Sequence, residues 1–206
     1  MKQTTLSMDP YNLIITGVGG QGNVLASRLI GNMLSEQGYY ITIGESFGAA
    51  QRGGAVESHI RVSAQRTYSP QIPKGKAHMV VALEPTEAIR ILRDYGNPGV
   101  KVLSNMRPVY SMGVICGEQS YPSTEKIKEC ITASSKASWF VNSTDEALKL
   151  GNPIFGNIIL IGALAGTNAL PLDHKSFEKA LLQRMKPDKI DVNLKAFDIG
   201  KEMTSA

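Results

Sequence analysis

Metal-binding side chains are scarce: 206 residues supply two cysteines and three histidines. Cys116 and Cys130 have thirteen residues between them and no C-x-x-C or histidine cluster nearby. That is too few thiolates for an iron–sulfur cluster and the wrong spacing for a structural zinc. Both read as free, reduced thiols. A long apolar run is also missing. The greasiest stretch, "IFGNIILIGALAG", is interrupted by Asn157 and is too short to span a bilayer. The opening, "MKQTTLSMDPYNLIIT", carries neither an apolar signal core nor a cleavage site, so a cytoplasmic protein without membrane attachment is expected. Charge of one sign is lacking too. The net charge is only +4, with Lys and Arg interspersed among Asp and Glu and no basic stripe with interleaved aromatics, which argues against nucleic acid as a partner. No linker, repeat or low-complexity segment divides the chain, so a single domain over 1–206 is expected.

What the chain has in excess is glycine, 20 residues, clustered with other small residues in loops. "NLIIT" (12–16) reads as a buried strand. The glycine stretch "GVGGQG" (17–22) follows it, and then comes a helix with Leu25, Leu29 and Met33 on one line and Gly38 as its stop. "YYITIG" (39–44) is a second strand, giving a βαβ unit with parallel strands. In "AVESHIRVS" residues Val56, Ser58, Ile60 and Val62 alternate with Glu57, His59 and Arg61, a strand with one polar side. Further strands are expected at 79–83, 100–105 and 138–142. Helices are expected after Pro85, at 123–133, from a Ser143–Glu146 capping box, through "NPIFGNIILIGALAG", and at 173–185 and 188–203. The alternation predicts a three-layer α/β fold with a mainly parallel central sheet and a Rossmann-like first βαβ unit.

Gly17, Gly19 and Gly22 fit G-x-G-x-x-G between a strand and a helix, where backbone amides favour an anion. A P-loop is excluded, because no Gly-Lys-Ser/Thr follows. The acid that would hold a ribose arrives late, as Glu45, so NAD binding ranks below both a phosphate site and a tight structural turn, which stand level. "GESFG" (44–48) fits the G-x-S-x-G nucleophile elbow with Ser46, and Asp145 and His174 follow in a hydrolase's chain order. The glycines after Ser46 argue for a loop where an elbow needs a helix. His59, His78 and His174 have no second ligand at metal spacing and read as structural or surface histidines. In "AAQRGG", Gln51 and Arg52 are flanked by small residues including Gly53 and Gly54. There a guanidinium could meet a carboxylate or phosphate, or merely form a surface ion pair.

The stretch from "GVGGQG" to "SFGAAQRGGAVESHIRVS", with "ALEPTEAIR", "GNPIFGNIILIGAL" and "NLKAFDIG" in order, resembles the gamma-type domain of 2-oxoacid:ferredoxin oxidoreductases. It is most similar to the small (beta) subunit of the indolepyruvate enzymes. The resemblance implies a subunit inactive by itself, with no cofactor bound by this chain alone. Thiamine diphosphate, magnesium and iron–sulfur clusters would lie in a large (alpha) partner, CoA would be the co-substrate, and ferredoxin would be reached through the complex. Two glycine-rich loops after consecutive strands, and Asn157 in its apolar helix, then make Gly17, Gly19, Gly20, Gln21, Gly22, Ser46, Gln51, Arg52, Gly53, Gly54 and Asn157 the residues expected to face CoA or the partner's active site. The alternatives are an independent nucleotide-binding α/β protein and, behind it, a Ser46 hydrolase.

Overall fold

The computed structural model of the chain describes residues 6–48 and 54–205. The apolar runs become six strands: β1 Tyr11–Val18, β2 Tyr40–Phe47, β3 Ala55–Ser63, β4 Met79–Ala82, β5 Lys101–Asn105 and β6 Ala137–Val141. The 3.6-residue repeats become the helices α1 Asn23–Ser35, α2 Pro85–Tyr95, α3 Met112–Ile115, α4 Thr124–Ala133, α5 Ser143–Lys149, α6 Gly156–Gly166, α7 His174–Leu182 and α8 Ile190–Glu202. α1 ends as the sequence predicts. Gly38 adopts φ +90° and Tyr39 N–H reaches back to the Leu34 carbonyl at 3.2 Å. α2 opens on Pro85, with the Glu84 side chain accepting from Glu87 N–H.

The strands form one sheet in the order β2-β3-β1-β4-β5-β6. β1, β4, β5 and β6 are parallel neighbours, whereas β3 runs against both β1 and β2. β2 therefore points the same way as β1, as a βαβ start requires, but β3 is threaded between them. The sheet is mixed, with five strands one way and one the other. One face is covered by α1 and α5 to α8, packed on Leu13, Ile15, Ile60, Val81 and Leu103. The other is covered by α2 and α4, packed on Ile14, Val80, Ala82 and Val102. These are the three layers expected.

One expectation gains detail and one changes. The polar side of β3 is not solvated: His59 and Arg61 are buried beneath the segment that follows the strand. Arg61 donates to the carbonyls of Ser69 and Gln71 and to Asn12 Oδ1, and His59 Nδ1 accepts from Ile72 N–H at 3.1 Å. The Ser143–Glu146 capping box is absent. Ser143 is the first residue inside α5, Asn142 holds the cap position without a side-chain bond, and the Ser143 hydroxyl is buried. α6 is buried along its whole length, as its all-round apolarity predicts. It crosses α8 at backbone distance: a methyl group on Gly162 would run into the Phe197 carbonyl, and one on Gly200 into that of Ile159.

Candidate functional site

β1 and β4 are adjacent and parallel, but the chain leaves β1 into α1 on one face of the sheet and β4 into α2 on the other. This divergence opens a crevice beyond the carboxyl ends of the strands, the place where open α/β sheets take ligands. The crevice encloses about 400 Å³ and is lined by Gly20 and Gln21, by Leu83, Asn105, Arg107 and Val109, and by Ser143, Ile154 and Asn157.

The glycine stretch forms one lip. Gly17 is the penultimate residue of β1, where a side chain would collide with Gln21 Oε1 and press on Asn23. Gln21 folds back to accept from Val18 N–H at 2.8 Å and donates to the Leu83 carbonyl at 3.1 Å. Asn105, at the end of β5, donates to that same carbonyl at 3.1 Å. Three strand ends are thereby tied to one oxygen. Gly22 occupies the cap of α1 at φ +87°, a left-handed conformation, and there is no room for a Cβ because Asn157 of α6 lies against it. Asn157 Nδ2 reaches the Gly22 carbonyl at 3.4 Å, so this residue is bonded to a loop, as its interruption of an apolar helix suggests. Gly19 N–H donates to the Gly54 carbonyl at 2.8 Å, which brings the glycine turn and the end of the second small-residue loop to one edge of the sheet.

The distinctive chemistry lies in the oxygens. Six buried side-chain polar atoms among the described residues have no hydrogen-bond partner, and three belong to crevice-lining residues: Asn105 Oδ1, Ser143 Oγ and Asn157 Oδ1. Leaving a buried acceptor unpaired costs about 1–3 kcal/mol, so the wall of the crevice carries polar groups without partners just beneath its surface. Arg107 stands near its mouth, 3.9 Å from Asp145 in an exposed pair. Behind it Glu84, almost fully buried, accepts from Tyr121 Oη and Thr86 Oγ1 at 2.6 Å each, and from Val109 N–H at 3.5 Å. Burial, and then the hydrogen bond to Glu84, drive the Tyr121 phenol far above its usual pKa, so it stays a donor.

Sequence reading placed Gly17, Gly19, Gly20, Gln21, Gly22 and Asn157 here. It did not find Asn105, Arg107 or Ser143, because their meeting depends on strand order. Ser46 is exposed within β2, paired with Glu57 rather than set at a strand-to-helix turn, so no nucleophile elbow exists. His174 is held by Asp198 at 2.8 Å and Asp145 faces Arg107, so no triad forms. Glu45 turns to α1, accepting from Ser27 Oγ at 3.3 Å with Arg28 3.9 Å away, and does not reach the glycine turn as a ribose acid would. Gln51, Arg52 and Gly53 lie outside the described residues. No group of three or more His, Cys, Asp or Glu among the described residues could hold a metal ion, and both cysteines are exposed and free. Among the described residues no helix is long and apolar enough to cross a membrane.

A family model described as pyruvate ferredoxin/flavodoxin oxidoreductase matches residues 12–203. The chain belongs to this family. It is 36% identical over 194 residues to the indolepyruvate oxidoreductase subunit IorB of Pyrococcus horikoshii, covering 94% of this chain and 95% of that one. Its fold is shared with the pyruvate oxidoreductase subunit PORC of Thermotoga maritima, at a TM-score of 0.71 and 21% identity over 95% of this chain and 97% of that one. It is also shared with a 2-oxoglutarate:ferredoxin oxidoreductase from Magnetococcus marinus solved with 2-oxoglutarate, coenzyme A and succinyl-CoA bound. There the TM-score is 0.73 at 16% identity, and the match covers 96% of this chain but 31% of that one. The chain is therefore the small subunit of a 2-oxoacid:ferredoxin oxidoreductase, and the crevice is read on that footing.

Proposed function

We infer that this subunit serves an indolepyruvate-type enzyme, and that its crevice closes against the large subunit where CoA enters. The observation that carries the reading is the crevice at the switch between β1 and β4, lined by the glycine turn, Asn105, Asn157 and Arg107. CoA presents amide N–H groups along its arm and phosphates at its far end. The first suit the polar lining residues Gln21, Asn105 and Asn157, and the second complement Arg107. The substrate class follows the IorB relative, and the CoA contact follows the Magnetococcus enzyme, which holds coenzyme A and succinyl-CoA.

Thiamine diphosphate and the iron–sulfur clusters, which supply decarboxylation of the 2-oxoacid and electron transfer, are assigned to the partner on the strength of the family likeness. This chain contributes shape, hydrogen bonds and exclusion of water. The strap that forms the second lip supports the contact: Val109, Tyr110, Met112 and Ile115 are large, apolar and exposed, as is Ile154 across the crevice. Gln51, Arg52, Gly53 and Gly54 are placed by this reading at the same interface.

The test is to purify the complex with its large subunit and assay CoA-dependent oxidation of indolepyruvate, pyruvate and 2-oxoglutarate. Preference for indolepyruvate is expected. Asn157→Ala should raise the KM for CoA at least fivefold while the subunits stay assembled. An unchanged KM counts against the crevice, and a preference for another 2-oxoacid counts against the substrate assignment.

A further inference from the structure

At the opposite end of the same strands a hollow of about 920 Å³ opens below the starts of β4, β5 and β6. Three of its lining residues are lysines. Lys76 comes from the turn before β4, Lys101 opens β5 and Lys136 directly precedes β6. None of the three ammonium groups is ion-paired with a carboxylate of the described residues. His78 lines the hollow as well. Its Nδ1 accepts from Asn12 N–H at 2.9 Å, so the neutral ring carries its proton on Nε2, a further donor. Tyr11 lines the hollow too, its ring against that of His78 and its hydroxyl without a hydrogen bond to another described residue. The one carboxylate in the lining, Asp173, is committed to capping α7, accepting from Ser176 N–H at 2.7 Å.

Lys101 stands in register with Met79 and Ala137, so Lys76 and Lys136 precede it by three residues and one, and the three cations come to the hollow from different levels. Three unpaired positive charges around one hollow match the charge of a diphosphate better than that of a single carboxylate. Leu6, Leu170 and Leu172 supply an apolar wall beside it, along which an organic body can lie.

We propose that this hollow is a binding site for a phosphorylated small molecule, its diphosphate held by Lys76, Lys101 and Lys136 with His78 and Tyr11 donating. The assignment is independent of the crevice, and so is its test. Titration calorimetry of the full chain with inorganic pyrophosphate should show saturable one-site binding, at least tenfold tighter than for benzoate, which serves as the carboxylate arm. A Lys101→Ala/Lys136→Ala double variant should weaken pyrophosphate at least tenfold. Lys126→Ala/Lys128→Ala, which removes the same charge from α4, should leave it unchanged. Non-saturating binding, equal losses in both doubles, or tighter binding of benzoate each overturns the proposal. The titration is then repeated on the assembled complex. Binding that persists supports the site, and binding that vanishes shows the hollow to be covered by the partner and overturns it.

Discussion

At the scale of single residues, the two glycines with positive φ in the first turn do different work. Gly20, at φ +98°, faces open space, whereas Gly22, at φ +87°, is pressed by Asn157. An alanine at either position meets the left-handed penalty of about 1–2 kcal/mol. Only Gly22→Ala should lose more, and that excess should vanish in an Asn157→Ala background, a coupling that denaturant midpoints in a double-mutant cycle would measure. His78 gives a pH signature of known sign. Burial, and then the charge of Lys76, hold its imidazole below the usual pKa, so the folded state favours the neutral ring. The unfolded chain takes up the proton first, near pH 6.5. The stabilisation is therefore complete above that pH and drains away as pH falls through the lower folded value. Thermal melts between pH 7.5 and 5 should fall less steeply for His78→Asn than for the parent, and parallel curves would remove His78 from the account.

Among the elements, the tightest constraint is the crossing of α6 and α8. Gly162 and Gly200 let the two backbones touch, so Gly200→Ala forces them apart at about 3 kcal/mol, the upper end of overpacking costs. Gly156→Ala in the same α6 meets only ordinary contacts, 3.7 Å from the Ser143 carbonyl, and should be neutral or slightly stabilising by calorimetric melting. The strap of residues 106–122 hangs instead on one buried carboxylate. Tyr121→Phe removes a 2.6 Å bond to Glu84 and should cost about 1.5–3 kcal/mol, as is usual for bonds to a charged group. The loss should appear as faster amide exchange in the strap, with the core strands unaffected. None of this was visible in one dimension. Strand positions could be read to within a few residues because apolar runs and glycine stops are local signals. That β3 inserts between β1 and β2 could not, since β1 meets β3 through pairs 37 or more residues apart, such as Val18 with Ala55. Arg61 misled for the same reason: its alternation with Ile60 marks a strand face correctly but cannot say that residues 69–72 fold over it.

For the whole molecule, the half of the site carried by glycines and Asn157 was legible, because backbone approach leaves a mark in composition. The half carried by Asn105, Ser143 and Arg107 was not, because ordinary polar residues acquire meaning only at the ends of neighbouring strands. The molecule that results is polarised along its strands. The carboxyl end bears the crevice, its unpaired acceptors and the exposed apolar strap, and the amino end bears the lysine-lined hollow. A partner that buries apolar surface gains about 25 cal/mol per Å² removed from water, so it gains most at the end where Tyr110, Met112, Ile115 and Ile154 cluster. Deuterium exchange of the free chain against the complex with the large subunit should then slow across residues 107–115 and 152–156, and leave residues 74–78 unchanged. Replacing Met112 and Ile115 together by serine should weaken assembly at least tenfold without lowering the melting temperature of the free chain, because neither side chain is part of its core. Assembly indifferent to that double substitution would remove the strap from the contact, and protection confined to the lysine end would reverse the polarity and place the partner at the amino end of the strands.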